Sequence, residues 1–216
     1  MAGLNGAGKT TLVKLIMRLY DPTEGCILMD GIDIRKFNIK EYRAMFSTIF
    51  QDYQLFAVKL VENIYMRETV KEENEKAAAY LHQSRLEGFD DKMENNITKE
   101  FDKEGIVFSG GQSQKVAIAR AFAKDGEFVI MDEASSALDP IAEAEIYSII
   151  MEEIKKKSMV IISHRLSTIQ NVDKIFYMQN GEIIESGSHY ELLELDGKYA
   201  EMYKVQAEKY REYREE

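Results

Sequence analysis

A chain of 216 residues, 45% hydrophobic and 31% charged, can bury one good-sized core and a small second lobe, and it reads as a soluble globular protein. Its formal net charge of -10 repels a phosphate backbone over most of the surface, which argues against nucleic acid as a partner and requires that any bound phosphate be held locally. No run approaches the roughly 18 to 20 apolar residues of a membrane span, Met1-Ala2-Gly3 leaves no room for a signal peptide, and the single cysteine, Cys26, allows no internal disulfide.

The chain opens on a glycine-rich segment, Gly3 to Thr10, followed by Leu12, Leu15, Ile16 and Leu19 at helical spacing, with a stop at Asp21-Pro22-Thr23-Glu24-Gly25. Short apolar runs at Cys26 to Met29, Phe46 to Phe50, Phe128 to Met131, Met159 to Ile162 and Ile175 to Met178 predict strands, several buried on both faces. Cys26 falls in the first of these and is expected as a buried structural thiol. Helical patterns separate the strands, which predicts an α/β fold with a mostly parallel sheet. Residues 52–123 differ in texture. A charged helix over Lys71 to Leu86 and a polar stretch from Gly88 to Gly105 without strand character predict an inserted helical subdomain. Asn180-Gly181, before the run Glu182 to Glu185, is a hairpin signal. The tail from Tyr199 to Glu216 predicts a half-solvated terminal helix. The expected organisation is a core formed by 1–51 and 124–197, the helical subdomain 52–123, and a C-terminal helix 198–216.

Gly3-Leu4-Asn5-Gly6-Ala7-Gly8-Lys9-Thr10 fits G-x-x-x-x-G-K-[ST], the P-loop. Glycines let backbone N–H groups converge on phosphate oxygens with no side chain in the way. Lys9 reaches the β- and γ-phosphates in this pattern, the Thr10 hydroxyl binds Mg2+, and the following helix aims its positive end at the anion. Asn5, Gly6, Ala7, Gly8, Lys9, Thr10 and Thr11 are thus the candidate nucleotide contacts. The run Phe128 to Met131 carries Asp132 and Glu133 to the end of a buried strand, where open α/β sheets bind ligands. There Asp132 can enter the Mg2+ shell and Glu133 can act as general base toward a water, or the pair can cap the helix that follows.

Phe108-Ser109-Gly110-Gly111-Gln112, followed by Ser113 to Ala121, resembles the signature sequence of ATP-binding-cassette (ABC) ATPases. Ser109 and the Gly110-Gly111 amides at a helix start form a second anion site, in a polypeptide that already has a P-loop. The family usually has Leu where Phe108 stands. Further stretches are similar to the family in the expected order: Gln51 to the Q-loop glutamine, Ser135-Ser136-Ala137-Leu138-Asp139 to the D-loop, and His164 to the switch histidine. His82 and His189 match no motif and are expected at the surface. The wording of Ile27 to Ile34, Phe50-Gln51-Asp52 and Ser163 to Thr168 resembles the exporter branch. Thr98 to Gly105 stands where exporters carry a loop that feels the membrane helices, but it does not match that loop's usual wording.

The resemblance implies a P-loop NTPase (RecA-like) core with an inserted helical subdomain, binding ATP and Mg2+. It implies Gln51, Glu133 and His164 as catalytic groups, and Thr10, Gln51 and Asp132 around the metal. In the family, two such domains sandwich ATP head to tail, so Ser109, Gly110, Gly111, Gln112 and Asp139 would meet the nucleotide of a second nucleotide-binding domain, identical or not. Transmembrane domains of an exporter dock beside Gln51, where Tyr53, Leu55 and Phe56 offer apolar contact or pack within the helical lobe. The implied location is the cytoplasmic face of the cell membrane. In the family a buried strand and a small antiparallel sheet precede the P-loop. Here Gly3 is the third residue, so the chain reads as an N-terminally truncated exporter domain with that part largely missing. The alternatives are a truncated, non-catalytic module with weak nucleotide binding and, less favoured, a soluble ABC ATPase.

Overall fold

The computed structural model describes residues 1–50, 53–100, 102–124, 126–132, 147–149, 151–152, 157–163 and 170–215, with side chains through residue 208. The chain forms two compact units, Met1–Ile39 with Val160–Glu216, and Lys40–Met159.

The first unit begins with α1 (Lys9–Ile16), whose N-cap Gly8 has φ 97°. Val13 and Met17, four residues apart, are the buried pair on this side of the chain, while Leu19 is exposed. The helix is therefore shorter than the spacing of its leucines predicts. It stops where Arg18 turns left-handed at φ 55°, a conformation its guanidinium supports by donating to the carbonyls of Ile34 at 3.2 Å and Phe37 at 3.1 Å. β1 (Leu28–Met29) and β2 (Ile32–Asp33) pair antiparallel, and Asp30 and Gly31, both at positive φ, supply the tight turn such a hairpin needs. Strand pairing starts at Leu28, so Cys26 lies before the strand and is exposed, which corrects the expectation of a buried thiol.

The second unit opens with α2 (Ile39–Ala44), which begins at the boundary, and β3 (Phe46–Ile49). Three helices follow: α3 (Leu60–Tyr65), α4 (Asn74–Gln83) and α5 (Gly110–Lys124). They close around one core containing Leu60, Ile64, Leu81, Met93 and Val116. The stretch from Gly88 to Gly105 holds a 3-10 turn at Asp90–Lys92 and isolated bridges, among them Ile97 with Ile106. Its closing glycine is required: a Cβ on Gly105 would lie 1.9 Å from the Thr98 carbonyl oxygen. β4 (Phe128–Asp132) runs parallel to β3, with Phe46 opposite Phe128 and Ile49 opposite Met131. Consecutive residues of both strands are buried, as parallel strands covered on both faces require. This is the predicted α/β class. The third strand of that sheet is β5 (Ser158–Ile162).

The first unit resumes with β6 (Ile175–Gln179) and β7 (Glu182–Gly187), an antiparallel pair joined by Asn180 at φ 51° and Gly181 at φ 84°. The expected hairpin is present. Ala2 bridges Tyr177 in parallel, donating to Phe176 at 2.9 Å and accepting from Met178 at 2.8 Å, and the Met1 amino group donates to the Ile161 carbonyl. Ala2 thus forms a single-residue bridge directly before the P-loop. α6 (His189–Glu194) starts at a Ser188–Glu191 capping box. The first amides of α7 (Lys198–Glu215), those of Lys198 and Tyr199, donate to the Glu185 carboxylate at 2.6 and 2.9 Å. Tyr199 and Ala200 are fully buried at the start of this helix. His189 is also buried, against expectation, because its Nδ1 pairs with the Tyr199 hydroxyl at 2.7 Å. Burial holds the His189 imidazole below its ordinary value and pushes the Tyr199 phenol up to about 12.

Candidate functional site

The loop Gly3 to Gly8 is shaped by close backbone approach. Gly3 has φ +143°, and a Cβ there would lie 2.3 Å from the Met178 carbonyl oxygen. Gly6 and Gly8 are left-handed at +79° and +97°. The Ala7 amide donates back to Leu4 at 3.1 Å, and the Ala7 carbonyl accepts from Gly181 at 3.1 Å, so the β6–β7 turn braces the loop from behind. Asn5, Gly6, Thr10 and Thr11 face solvent, while Ala7 and Lys9 are buried.

Lys9 Nζ is folded across the loop, donating to the carbonyls of Gly3 at 2.9 Å and Leu4 at 3.1 Å. An ammonium is thereby fixed within the ring of the backbone. The α1 ladder starts with Leu12 N–H donating to Gly8 at 2.9 Å, so the amides of Lys9, Thr10 and Thr11 are directed out of the helix end. Backbone donors, a cation and a helix N-terminus at one loop suit a polyphosphate. The glycine conformations fit that ligand, because each keeps a Cβ away from the turn of the loop.

In the second unit, Asp132 ends β4 and is buried, the position predicted for it at a strand terminus. Gln51, Glu133, Asp139 and His164 lie outside the described residues.

Ser109 and Gln112 form a reciprocal cap on α5. The Ser109 amide donates to Gln112 Oε1 at 3.0 Å, and the Gln112 amide donates to Ser109 Oγ at 3.3 Å. The pattern S-x-x-Q before an apolar helix is a capping signature, so this role was available from the residues as well as the anion role. Gly110 and Gly111 form the first turn, and a Cβ on Gly110 would meet nothing within 4 Å. Phe108, the departure from leucine, packs on Phe89 with ring centroids 5.0 Å apart.

Farther along α5 lies a groove of about 720 Å³ lined by Phe50, Tyr53, Gln54, Phe56, Met66 and Arg120, among others. Asn63, fully buried, holds the backbone of the lining residue Phe56. Its amide nitrogen donates to the carbonyls of Phe56, Val58 and Lys59 at 2.9, 3.3 and 3.1 Å, and its oxygen accepts from the Phe56 amide at 2.9 Å. Phe56 is left 47% exposed, whereas Leu55 packs into the helical core. The Arg120 guanidinium donates to the carbonyls of Asn63 at 2.9 Å and Gln54 at 3.2 Å. Burial lowers the pKa values of Arg120 and of Lys124, another lining residue, and raises that of Tyr53. The role of Arg120 had no signal in the sequence, because it depends on the carbonyls of Asn63 and Gln54 brought near by folding.

A family model described as ABC transporter matches residues 1–136. Among curated proteins, the chain is 40% identical over 209 residues to an ATP-dependent lipid A-core flippase of Methylobacillus flagellatus, covering 95% of this chain and 35% of that protein. It is 37% identical over 206 residues to the ATP-dependent lipid A-core flippase of Escherichia coli, with the same coverage. A solved structure of a bacterial Atm1-family ABC exporter with ATP bound superposes with a TM-score of 0.78 at 36% identity, covering 95% of this chain and 36% of that one. The chain spans about a third of the length of these relatives.

Proposed function

Since the chain belongs to the ABC transporter family, we propose that it is the ATP-binding and ATP-hydrolysing motor domain of an exporter, working as a head-to-tail dimer. The observation that carries this reading is the presence of two helix N-termini built by different glycine-containing motifs. One is α1 behind the loop Gly3 to Gly8, and the other is α5 behind the Ser109–Gln112 cap. A single nucleotide held at the P-loop has its own helix end. The second end is then free to serve the nucleotide of another copy.

In this reading Asn5 to Thr11 cradle the phosphates and Lys9 transfers its donors from the loop carbonyls to phosphate oxygens. Thr10, Gln51 and Asp132 would hold Mg2+, which when bound neutralises charge on the β- and γ-oxygens. Glu133 takes a proton from the attacking water, and His164 contacts the γ-phosphate. Asp139 and the Ser109 to Gln112 turn close over the partner's nucleotide. The exposed Phe56 and the groove beside it receive a helix of the transmembrane domains, on the cytoplasmic side of the membrane. No helix among the described residues is long and apolar enough to cross a membrane. The pairing of Ala2 with Tyr177 under the P-loop supports a competent loop over a non-catalytic module.

The test is hydrolysis of Mg-ATP by the chain and by Glu133→Gln. The variant is expected to retain nucleotide binding and lose about 100-fold or more in turnover, and wild-type specific activity should rise with protein concentration. Unchanged hydrolysis in Glu133→Gln would sink the assignment.

A further inference from the structure

We infer that Tyr53 is a positioning residue for the Ser109 to Gly111 anion site, its hydroxyl tying the loop that follows Gln51 to the first turn of α5. The inference rests on the composite site proposed above and concerns how that site is held in place.

The Tyr53 hydroxyl donates to the Gly110 carbonyl at 3.0 Å across 57 residues of sequence. A first-turn carbonyl accepts from the amide four residues on, and its second lone pair can take a further donor without breaking the helix. The Ser109–Gln112 cap is local. It fixes the shape of the turn and leaves its location to contacts from other elements. Among the described residues nothing lies within 4 Å of a Cβ placed on Gly110, so a tether there has leverage.

The loop that carries Tyr53 is itself anchored. Gln54, the next residue, receives Arg120 through its carbonyl at 3.2 Å, and Asn63 clamps the backbone from Phe56 to Lys59. Arg120 and Gly110 sit ten positions apart on α5, about 15 Å at a rise of 1.5 Å per residue. Two attachments at that separation add to the core packing of α5 against α3 and α4, the Tyr53 one at the open Gly110 turn. Tyr53 also lines the groove, so one side chain touches both the groove and the turn that presents Ser109. Burial raises the pKa of its phenol, which keeps the donor proton in place at neutral pH.

The experiment measures ATP-dependent association by sedimentation in a Glu133→Gln background, with and without Tyr53→Phe. Monomer affinity is measured separately with a fluorescent ATP analogue at protein concentrations too low for association, and folding by thermal melting. Tyr53→Phe is expected to leave monomer affinity within about twofold and to weaken association about three- to tenfold, the range set by one neutral hydrogen bond. Unchanged association overturns the inference. Equal losses of affinity and association would report general destabilisation and overturn it as well. If Glu133→Gln with Tyr53 intact fails to associate on ATP, the composite-site reading falls, and this inference falls with it.

Discussion

Gly3 lies beneath the carbonyl oxygen of Met178 so closely that a Cβ would come within 2.3 Å of it. The offending atom is backbone in β6, held by the pairing of Ala2 between Phe176 and Met178. Neither side can yield without breaking that pairing. Gly3→Ala is therefore expected to destabilise the chain by about 3 kcal/mol or more, a drop of roughly 6–12 °C in melting temperature for a chain of this size. A melt within a degree or two of wild type would show that the loop is more compliant than this contact implies.

Lys9 is expected to matter twice. Its ammonium donates to Gly3 and Leu4 within the loop and supplies the charge that a polyphosphate needs. Lys9→Ala should weaken Mg-ATP binding about tenfold or more, as expected for losing a charge-assisted hydrogen bond. Calorimetric titration checks this, and equal affinities would remove Lys9 from the site.

Asn63 carries four hydrogen bonds from a fully buried position. Asn63→Ala leaves the Phe56 amide and three carbonyls without that partner, and the expected cost is about 2–4 kcal/mol in chemical denaturation. The loop Gln54 to Lys59 should also lose protection in hydrogen exchange. Wild-type protection there would show that Arg120, through Gln54 and Asn63, holds the loop alone.

Around α7 the pH dependence has a defined sign on each side. Burial holds the folded His189 below the ordinary value of 6.5. The unfolded chain therefore takes up a proton first as pH falls, so this contribution to stability is present above about pH 6.5 and lost below it. Tyr199 is pushed from 10.0 up to about 12, so its contribution is present below pH 10 and lost as pH rises toward 12. Melting temperature followed across pH should fall at both ends. His189→Asn should flatten the acid limb and Tyr199→Phe the alkaline one. Limbs unaltered in these variants would place the titration elsewhere.

Much of the site was legible because its chemistry is local. Gly3 to Thr10 must be a glycine loop before a helix whatever surrounds it, and Phe128 to Met131 reads as a doubly buried strand from its composition alone. Asn180-Gly181 predicts its turn because only a few residue types tolerate two positive φ values. The errors came where burial is decided from afar. Cys26 belongs to an apolar run, yet pairing with β2 begins only at Leu28. His189 shows no motif, yet Tyr199 receives it across a turn of sequence.

By itself, then, the sequence determined the order of the motifs, the glycine loop that ends on Lys9 and Thr10, and the alternation of strand and helix, since each follows from local stereochemistry and short-range hydrophobic pattern. Only the tertiary structure decided that Met178 forbids a side chain at Gly3, that Asn63 and Arg120 hold the backbone of the groove, and that Tyr53 reaches Gly110. Apart from the short-range bonds of Asn63, those relationships join residues tens or more than a hundred positions apart. They rest on backbone carbonyls, which every residue has, and so nothing in the letters of the sequence marks which of them will be met.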